Sequence, residues 1–283
     1  TNVSVRLGAL EDVERSEGEE IGLRVFLGQR SATVSASDMN PASLDTLVER
    51  CIAMAGQAPE DAYAGLAPED RLLRKKPTAL DLCDKGEPDP ATLKLRAMEA
   101  EDSARAVPGI TNSEGGGASS GRSQIALATS HGFSGSYGAT SHSTYASVLA
   151  GEGAGMQRDY ASNTVRHLDD LDDAEAIGNK AGQRAVARLN PIKVESGQMP
   201  VIFDPHVGSS LIGHLVGAIV GPSIARRSSF LLERLGEAIF DSSVTIVDDP
   251  LRPRGLRSRP FDGEGLPTQR RALIDAGVLT GWL

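Results

Sequence analysis

The chain has 283 residues, of which 40% are hydrophobic and 24% charged, a balance that fits a globular protein of two or three domains. Its formal charge of −9 and pI near 5.1 repel polyphosphate, which removes the usual electrostatic drive for direct nucleic-acid binding. No stretch approaches the roughly 18 apolar residues that cross a bilayer, no signal-peptide pattern is present, and the spacing of Cys51 and Cys83 makes no metal pair, so a reduced, cytoplasmic protein is expected.

The first 36 residues alternate in the strand manner, through Val3, Val5 and Leu7, then Ile21, Leu23, Val25 and Leu27, then Ala32, Val34 and Ala36. Turn signals at Gly18 and Gly28-Gln29 make this an expected antiparallel meander. A helix follows, capped by Asn40, opened by Pro41 and closed by Gly56, with Leu44, Leu47, Val48, Cys51, Ile52 and Ala55 on one stripe. Cys51 lies inside that stripe and reads as core. Residues 57–87 are rich in Pro, Ala and charge and read as a surface linker. The next helix is expected over Pro90–Ala106, with Leu93, Leu95, Ala97 and Ala104 among charges.

Residues 109–165 return to strands, with Gly115–Gly121 as the expected hairpin tip or loop. Leu171–Leu189 reads as a helix with Ala174, Ile177, Ala181 and Ala185 inward, stopped by Asn190-Pro191. Met199–Phe203 begins a new β unit. It leads into an apolar helix at Leu211–Val220, a second helix, a strand and a loop rich in Gly, Pro and charge. Gly213, Gly217 and Gly221 recur every four residues, which predicts a buried helix with close backbone approach on one face. The domains expected are 1–87, an α+β unit with its linker; 88–197, β-rich and carrying helix 171–189; and 198–283. Both ends are expected to be cut, the last inside a strand pattern, and the C-terminal domain truncated.

Candidate chemistry is sparse. A zinc-peptidase helix needs two imidazoles one turn apart and a general base. Beside His214, positions 217 and 218 are Gly and Ala. His214 is open to reading as a hydrogen-bonding residue of a helix interface or as a contact to substrate or partner. The other histidines (131, 142, 167, 206) fall in strand or loop contexts without paired spacing. Gly151-Glu-Gly153-Ala-Gly155 lacks a dinucleotide loop's spacing and reads as a tight turn. Gly132-Phe-Ser134-Gly-Ser136 lacks the second glycine of a nucleophile elbow. Asp169, Asp170, Asp172 and Asp173 suit a helix N-terminus. Asp248, Asp249, Asp262 and Glu264 are expected to lie in a solvated loop or to form salt links to Arg252, Arg254, Arg257 and Arg259, with a general-acid pair as the alternative.

Three long runs resemble the TldD/PmbA family, specifically its PmbA (TldE) branch: EEIGLRVFLGQRSATVSASD, GEGAGMQRDYASNTVRHLDDL, and SLIGHLVGAIVG continuing through RRSSFLLERLGEAIF, TIVDDP and FDGEGLPTQRRALIDAGVLTG. The likeness covers nearly the whole chain. It implies a multi-domain α+β fold of antiparallel sheets with packed helices, working in peptide proteolysis within a TldD–TldE complex. The family has also been called a modulator of DNA gyrase. In the TldD branch the corresponding helix carries a zinc-binding His-Glu-x-x-x-His motif. In that register Gly213 replaces the first His, His214 the Glu and Ala218 the second His. The resemblance therefore implies no catalytic residue, no metal ligand and no cofactor in this chain. Zinc is expected only in a TldD-like partner subunit, and an unstructured peptide is the expected substrate. Pairing with a second copy of itself stays open, as does a regulatory role on a gyrase or toxin system without cleavage. His214, Arg226, Asp262 and Glu264 are the expected contacts to peptide or partner.

Overall fold

The computed structural model describes residues 1–283 as an α+β protein with three antiparallel sheets. β1 (Asn2–Arg6) and β2 (Ala9–Glu14) form a hairpin whose turn residues, Leu7 and Gly8, both have positive φ, as a twisted two-residue turn requires. β3 (Ile21–Leu27) and β4 (Arg30–Ala36) form a second hairpin about Gly28. The two hairpins are not one meander. β1 pairs with a central strand through Asn2–Val5, whereas β3 and β4 stay a separate pair. Val3 and Val5 are fully buried and decide that docking. β2, whose six residues are all exposed, lacks the apolar alternation that would have marked it as a strand.

α1 (Pro41–Gln57) lies on the β3–β4 pair. Asn40 caps it by accepting the Ser43 N–H at 2.9 Å, and Pro41 opens it. The helix runs through Gly56 and ends at Ala58. Leu47, Cys51 and Ala55 are buried, but Val48 and Ile52 face outward, because two strands are too narrow to cover the whole stripe. The Cys51 thiol is fully buried, 3.4 Å from the carbonyl of Ala32.

Residues 58–89 are a strap, not a free linker. Leu72, Leu80 and Leu82 are buried, and the Leu82 carbonyl accepts the Thr140 N–H at 2.9 Å. α2 (Pro90–Ala106) is capped by Asp89, which accepts the Thr92 N–H at 2.7 Å; its Leu95 points to solvent. β5 (Ile110–Ala128) and β6 (Ser134–Ala150) form the long central hairpin, β7 (Gln157–Val165) follows, and α3 (Ala174–Ala187) packs beside α2 on one face. The sheet order is β2-β1-β5-β6-β7, so the first hairpin and the central strands share one sheet across the expected boundary at 87.

The hairpin turns at Thr129–Phe133, and Gly115–Gly121 lies in mid-strand. A Cβ on Gly116 would stand 2.6 Å from the Ala97 carbonyl of α2. Glycine here permits helix-on-sheet contact and does not mark a turn. The layer between helices and sheet is alanine-rich, built on Ala100, Ala104, Ala146, Ala181 and Ala185 around Val148 and Ile177. Glu101 of α2 is fully buried there. It accepts the N–H groups of Leu7 and Gly8 at 2.7 and 3.0 Å and the Ser113 hydroxyl, which ties the β1–β2 turn to the helix.

Met199–Phe203 forms no strand; no strand of the chain runs beside it, and Ile202 is almost fully exposed. α4 (Pro205–Ile219) and the short α5 (Gly221–Ala225) precede β8 (Ile246–Asp248), β9 (Arg271–Asp275) and β10 (Val278–Leu279). The second helix expected after α4 is only the five-residue α5, and FLLERLGEAIF forms no helix. That segment instead donates from Gly236 to the Leu279 carbonyl and from Ile239 and Phe240 to the Gly277 carbonyl, so tertiary pairing overrides its helical propensity. Leu215, Ala218 and Ile219 of α4 pack with Leu273, Ile274 and Leu279 to form this region's core.

Candidate functional site

α4 begins at Asp204, whose carboxylate accepts the His206 N–H at 2.7 Å. Its buried side is Leu215, Ala218 and Ile219. His214 lies on the exposed side and makes no hydrogen bond or ion pair within the chain, so it is not the residue of a helix interface. Nothing stands within 4 Å of a Cβ built on Gly213 or Gly217, so no backbone approaches there and the expected close-packed glycine face is open. Leu211 and Ile212 are likewise exposed. Of the three positions where the resemblance places the ligands and the base, Gly213 has no donor atom and Ala218 turns its methyl group into the core, which leaves only the imidazole of His214. These residues do not fit a zinc site of the kind that needs two imidazoles and a carboxylate base. His206 belongs to the first turn of α4, not to a strand or loop, and its ring packs edge-on against Tyr160 with centroids 4.9 Å apart.

The other expected contacts lie apart, with no hydrogen bond or ion pair joining them. Arg226 is exposed at the end of α5, near Tyr63 and Trp282. Asp262 spends one carboxylate oxygen on the N–H groups of Glu264 and Leu266, each at 2.9 Å, and so builds a turn and no general-acid pair. Glu264 is exposed on that turn. The turn is clamped onto the central hairpin: Phe261 packs edge-on against Phe133 and Tyr137 at 5.0 and 5.4 Å, and Gly265, at φ 83°, lies under the Phe133 ring.

Of the four loop arginines expected in solvent or in salt links, only Arg254 is ion-paired, and with other partners: Asp81 at 2.7 Å and Asp170 at 3.0 Å. Asp248 and Asp249 face Arg271 and Arg270 at 3.5 and 3.6 Å. Arg252, Arg257 and Arg259 have no carboxylate within ion-pair reach.

The densest polar cluster was not foreseen. On β6 the alternate residues Thr140, His142 and Thr144 are buried along with Ala146, Val148 and Ala150. Strict alternation was the available signal, and it placed His142 on an inward face. The Ser120 hydroxyl lies 3.0 Å from His142 Nδ1, and Asp84 Oδ2 lies 3.5 Å from Nε2, out of line for a hydrogen bond, so Nε2 is buried without a partner. Asp84 accepts the N–H groups of Leu168 at 2.8 Å and Gly86 at 3.1 Å. These backbone donors hold its carboxyl down at a pKa of about 2. Burial lowers the pKa of His142 against the raising effect of Asp84. His167 Nε2 lies 2.8 Å from the Asp81 carbonyl, and the Thr140 hydroxyl accepts the Asp84 N–H at 2.8 Å.

Serine, histidine and aspartate stand here in the order of a nucleophilic triad, but Ser120 is in mid-strand. Its N–H donates to the Thr1 carbonyl at 2.9 Å, so the backbone donor beside the hydroxyl is not free to stabilise an oxyanion. The cluster's evident work is to lock the strap and the 166–168 turn onto the hairpin. Gly151–Gly155 is the expected tight turn, joining β6 to β7, and Gly132 sits at the hairpin tip, away from any strand-to-helix turn.

Three family models match the chain in sequence order: PmbA/TldA metallopeptidase domain 1 over residues 1–55, the central domain over 83–189 and the C-terminal domain over 196–283. The metalloprotease PmbA of Escherichia coli O157:H7 is 37% identical over the whole chain, which covers 63% of that protein. A PmbA homologue of Haemophilus influenzae is 33% identical, again over the whole chain and 62% of its own length. The chain thus spans somewhat under two thirds of the curated relatives it matches. A crystal structure from Bacteroides thetaiotaomicron, named for a proposed modulation of DNA gyrase, superposes with TM-score 0.91 over 99% of this chain and 65% of that one, at 26% identity. TldE from Thermococcus kodakarensis shares the fold with TM-score 0.83 over all of this chain and 63% of its own, at 22% identity. No helix is long and apolar enough to cross a membrane. Three domain models in order, whole-chain identity to PmbA proteins and a shared α+β fold agree: the chain belongs to the TldD/PmbA family, on its PmbA (TldE) branch.

Proposed function

We propose that this protein is a non-catalytic, metal-free subunit of a cytoplasmic TldD–TldE type metallopeptidase complex that processes unstructured peptides. The observation that carries this is α4. The helix that the resemblance aligns with the family's metal helix presents Gly213, an unpartnered His214 and Ala218 at the aligned positions, and those positions offer one donor. Catalysis then belongs to a TldD-like subunit with its own zinc site, and this chain contributes surface that holds the peptide or orients that site. His214 and Arg226, exposed and unpaired, are available for such contacts, as is Glu264 on its clamped turn.

The test is an assay of unstructured peptides with this protein alone, with a TldD-like partner alone and with both, alongside metal analysis of each purified subunit. Cleavage only with both, with zinc confined to the partner, is the expected result. Chelator-insensitive cleavage by this protein alone, or one equivalent of zinc retained here and lost in His214→Ala, would overturn it. A regulatory role without cleavage is the second reading, favoured by the name of the Bacteroides relative. Full activity of the partner without this chain would support it.

A further inference from the structure

We infer that the groove between the strap, the loop after β8 and the start of β9 is a carboxylate-binding subsite for acidic residues of an extended peptide. This rests on the proposal that the chain handles peptides, and names what its side of the complex selects.

The groove is an open cavity of about 570 Å³ lined by Arg71, Arg257, Arg259, Arg271 and Gln269, with Asp248 and Asp262 at its wall. Four guanidiniums therefore face two carboxylates. Arg271 is paired with Asp248 at 3.5 Å, and Asp262 gives an oxygen to two backbone N–H groups. The side chains of Arg71, Arg257 and Arg259 make no ion pair and no hydrogen bond within the chain. They arrive from segments far apart in sequence, so the fold gathers them; the run at 252–259 alone does not account for Arg71.

Arginines scattered over a surface need no explanation, but these are not scattered. The chain carries a net charge of −9, so carboxylates were available to neutralise them. Like charges in one concavity repel, and the low-dielectric walls of a cleft focus their field. An anion removes that repulsion. A guanidinium offers a planar fork that matches a carboxylate through two parallel hydrogen bonds. The groove has no helix N-terminus among its lining residues, and Asp248 and Asp262 at its wall oppose a dianion more than a single carboxylate. The clamp of Phe261 and Gly265 on the hairpin tip anchors the backbone of the loop that carries Arg257 and Arg259, so part of the ordering cost is met before a ligand arrives.

The experiment measures binding of two fluorescein-labelled Gly-Ser peptides, one carrying several Glu residues and the other Gln at the same places. The protein is used at low and at moderate salt, as wild type, as R71Q/R257Q/R259Q, and as R50Q, which removes an exposed arginine outside the groove. The Glu peptide is expected to bind about tenfold tighter than the Gln peptide at low salt, with the preference shrinking as salt rises. The triple variant should lose that preference while keeping its melting temperature and its affinity for the Gln peptide, and R50Q should keep both. If the triple variant is unstable, R257Q alone should show part of the loss. Equal binding of the two peptides, or a preference that survives in the triple variant, would overturn the subsite and leave peptide handling intact. Binding of neither peptide would overturn both. Displacement of the Glu peptide by millimolar inorganic phosphate as readily as by unlabelled Glu peptide would reassign the groove to free anions.

Discussion

His214 and His142 mark two regions with opposite designs. His214 sits on α4, where the resemblance led us to expect a metal helix, yet it is exposed, without a polar partner and near glycines with open space around them. His142 sits in mid-strand in the central sheet, where no chemistry was expected, and is 1% exposed within a cluster that ties three separated segments together. The α4 region spends little on polar organisation. The central sheet carries almost all of it, in Glu101, Asp84, Ser120, Thr140 and the Arg254 ion pairs. A polar residue's position in a family motif is thus no guide to how hard the fold works to hold it. Burial and partner count are the better guide, because a buried group without its partner costs the full desolvation penalty.

The comparison is most exposed to failure at Glu101. Glu101→Ala removes the buried acceptor of the Leu7 and Gly8 N–H groups and of the buried Ser113 hydroxyl, so roughly 3 kcal/mol of stability should be lost. Burial alone would raise the pKa of this carboxyl, but the bonds from Ser113, Gly8 and Leu7 outweigh it and hold it down. Denaturant unfolding with little change from wild type would show that the cluster is ornamental. Next is the glycine contrast. A Cβ on Gly178 would collide with the Ala100 carbonyl of α2, so Gly178→Ala should cost about 1–3 kcal/mol by overpacking. Comparable melting temperatures for Gly178→Ala and wild type would contradict the tight α2–α3 contact.

Acid sharpens the contrast further. The Asp84 carboxyl, held at about 2 in the fold, titrates near 3.9 when unfolded. Its contribution is complete above the unfolded value and is lost as pH falls from about 4 towards 2. With solvent screening at this partly accessible carboxylate, that is about 1 kcal/mol. His142, with its pKa lowered by burial, adds to the same trend: the unfolded chain takes up its proton first as pH drops below about 6.5. Asp84→Asn should flatten the lower part of the stability–pH curve, and His142→Gln the upper part. A curve unchanged by both would remove the lock. The smallest effect belongs to α4. Gly217→Ala meets nothing within 4 Å and should stabilise by up to about 1 kcal/mol through helix propensity. A large loss of stability there would restore the close-packed face that the geometry contradicts.

Local signals in the sequence determined a good deal. The cap at Asn40, the full extent of α2, the inward set Ala174, Ile177, Ala181 and Ala185 and the burial of Cys51 all stand as the sequence predicts. Each depends on residues within about one helical turn of one another, where periodicity and capping chemistry are written directly. The motif runs determined the family in the same direct way. Tertiary structure alone decided the rest. Gly116 looks like a turn residue until the Ala97 carbonyl lies against it, and residues 58–89 look like a linker until Leu80 and Leu82 find the hairpin. FLLERLGEAIF looks helical until the β9–β10 turn takes its N–H groups. His142, Asp84 and Ser120 have no shared spacing, and the arginines of the groove come together from the strap, at Arg71, and from the C-terminal region, at Arg257, Arg259 and Arg271. Contacts between residues tens of positions apart leave no period in the sequence; the pairing register of the sheet creates them.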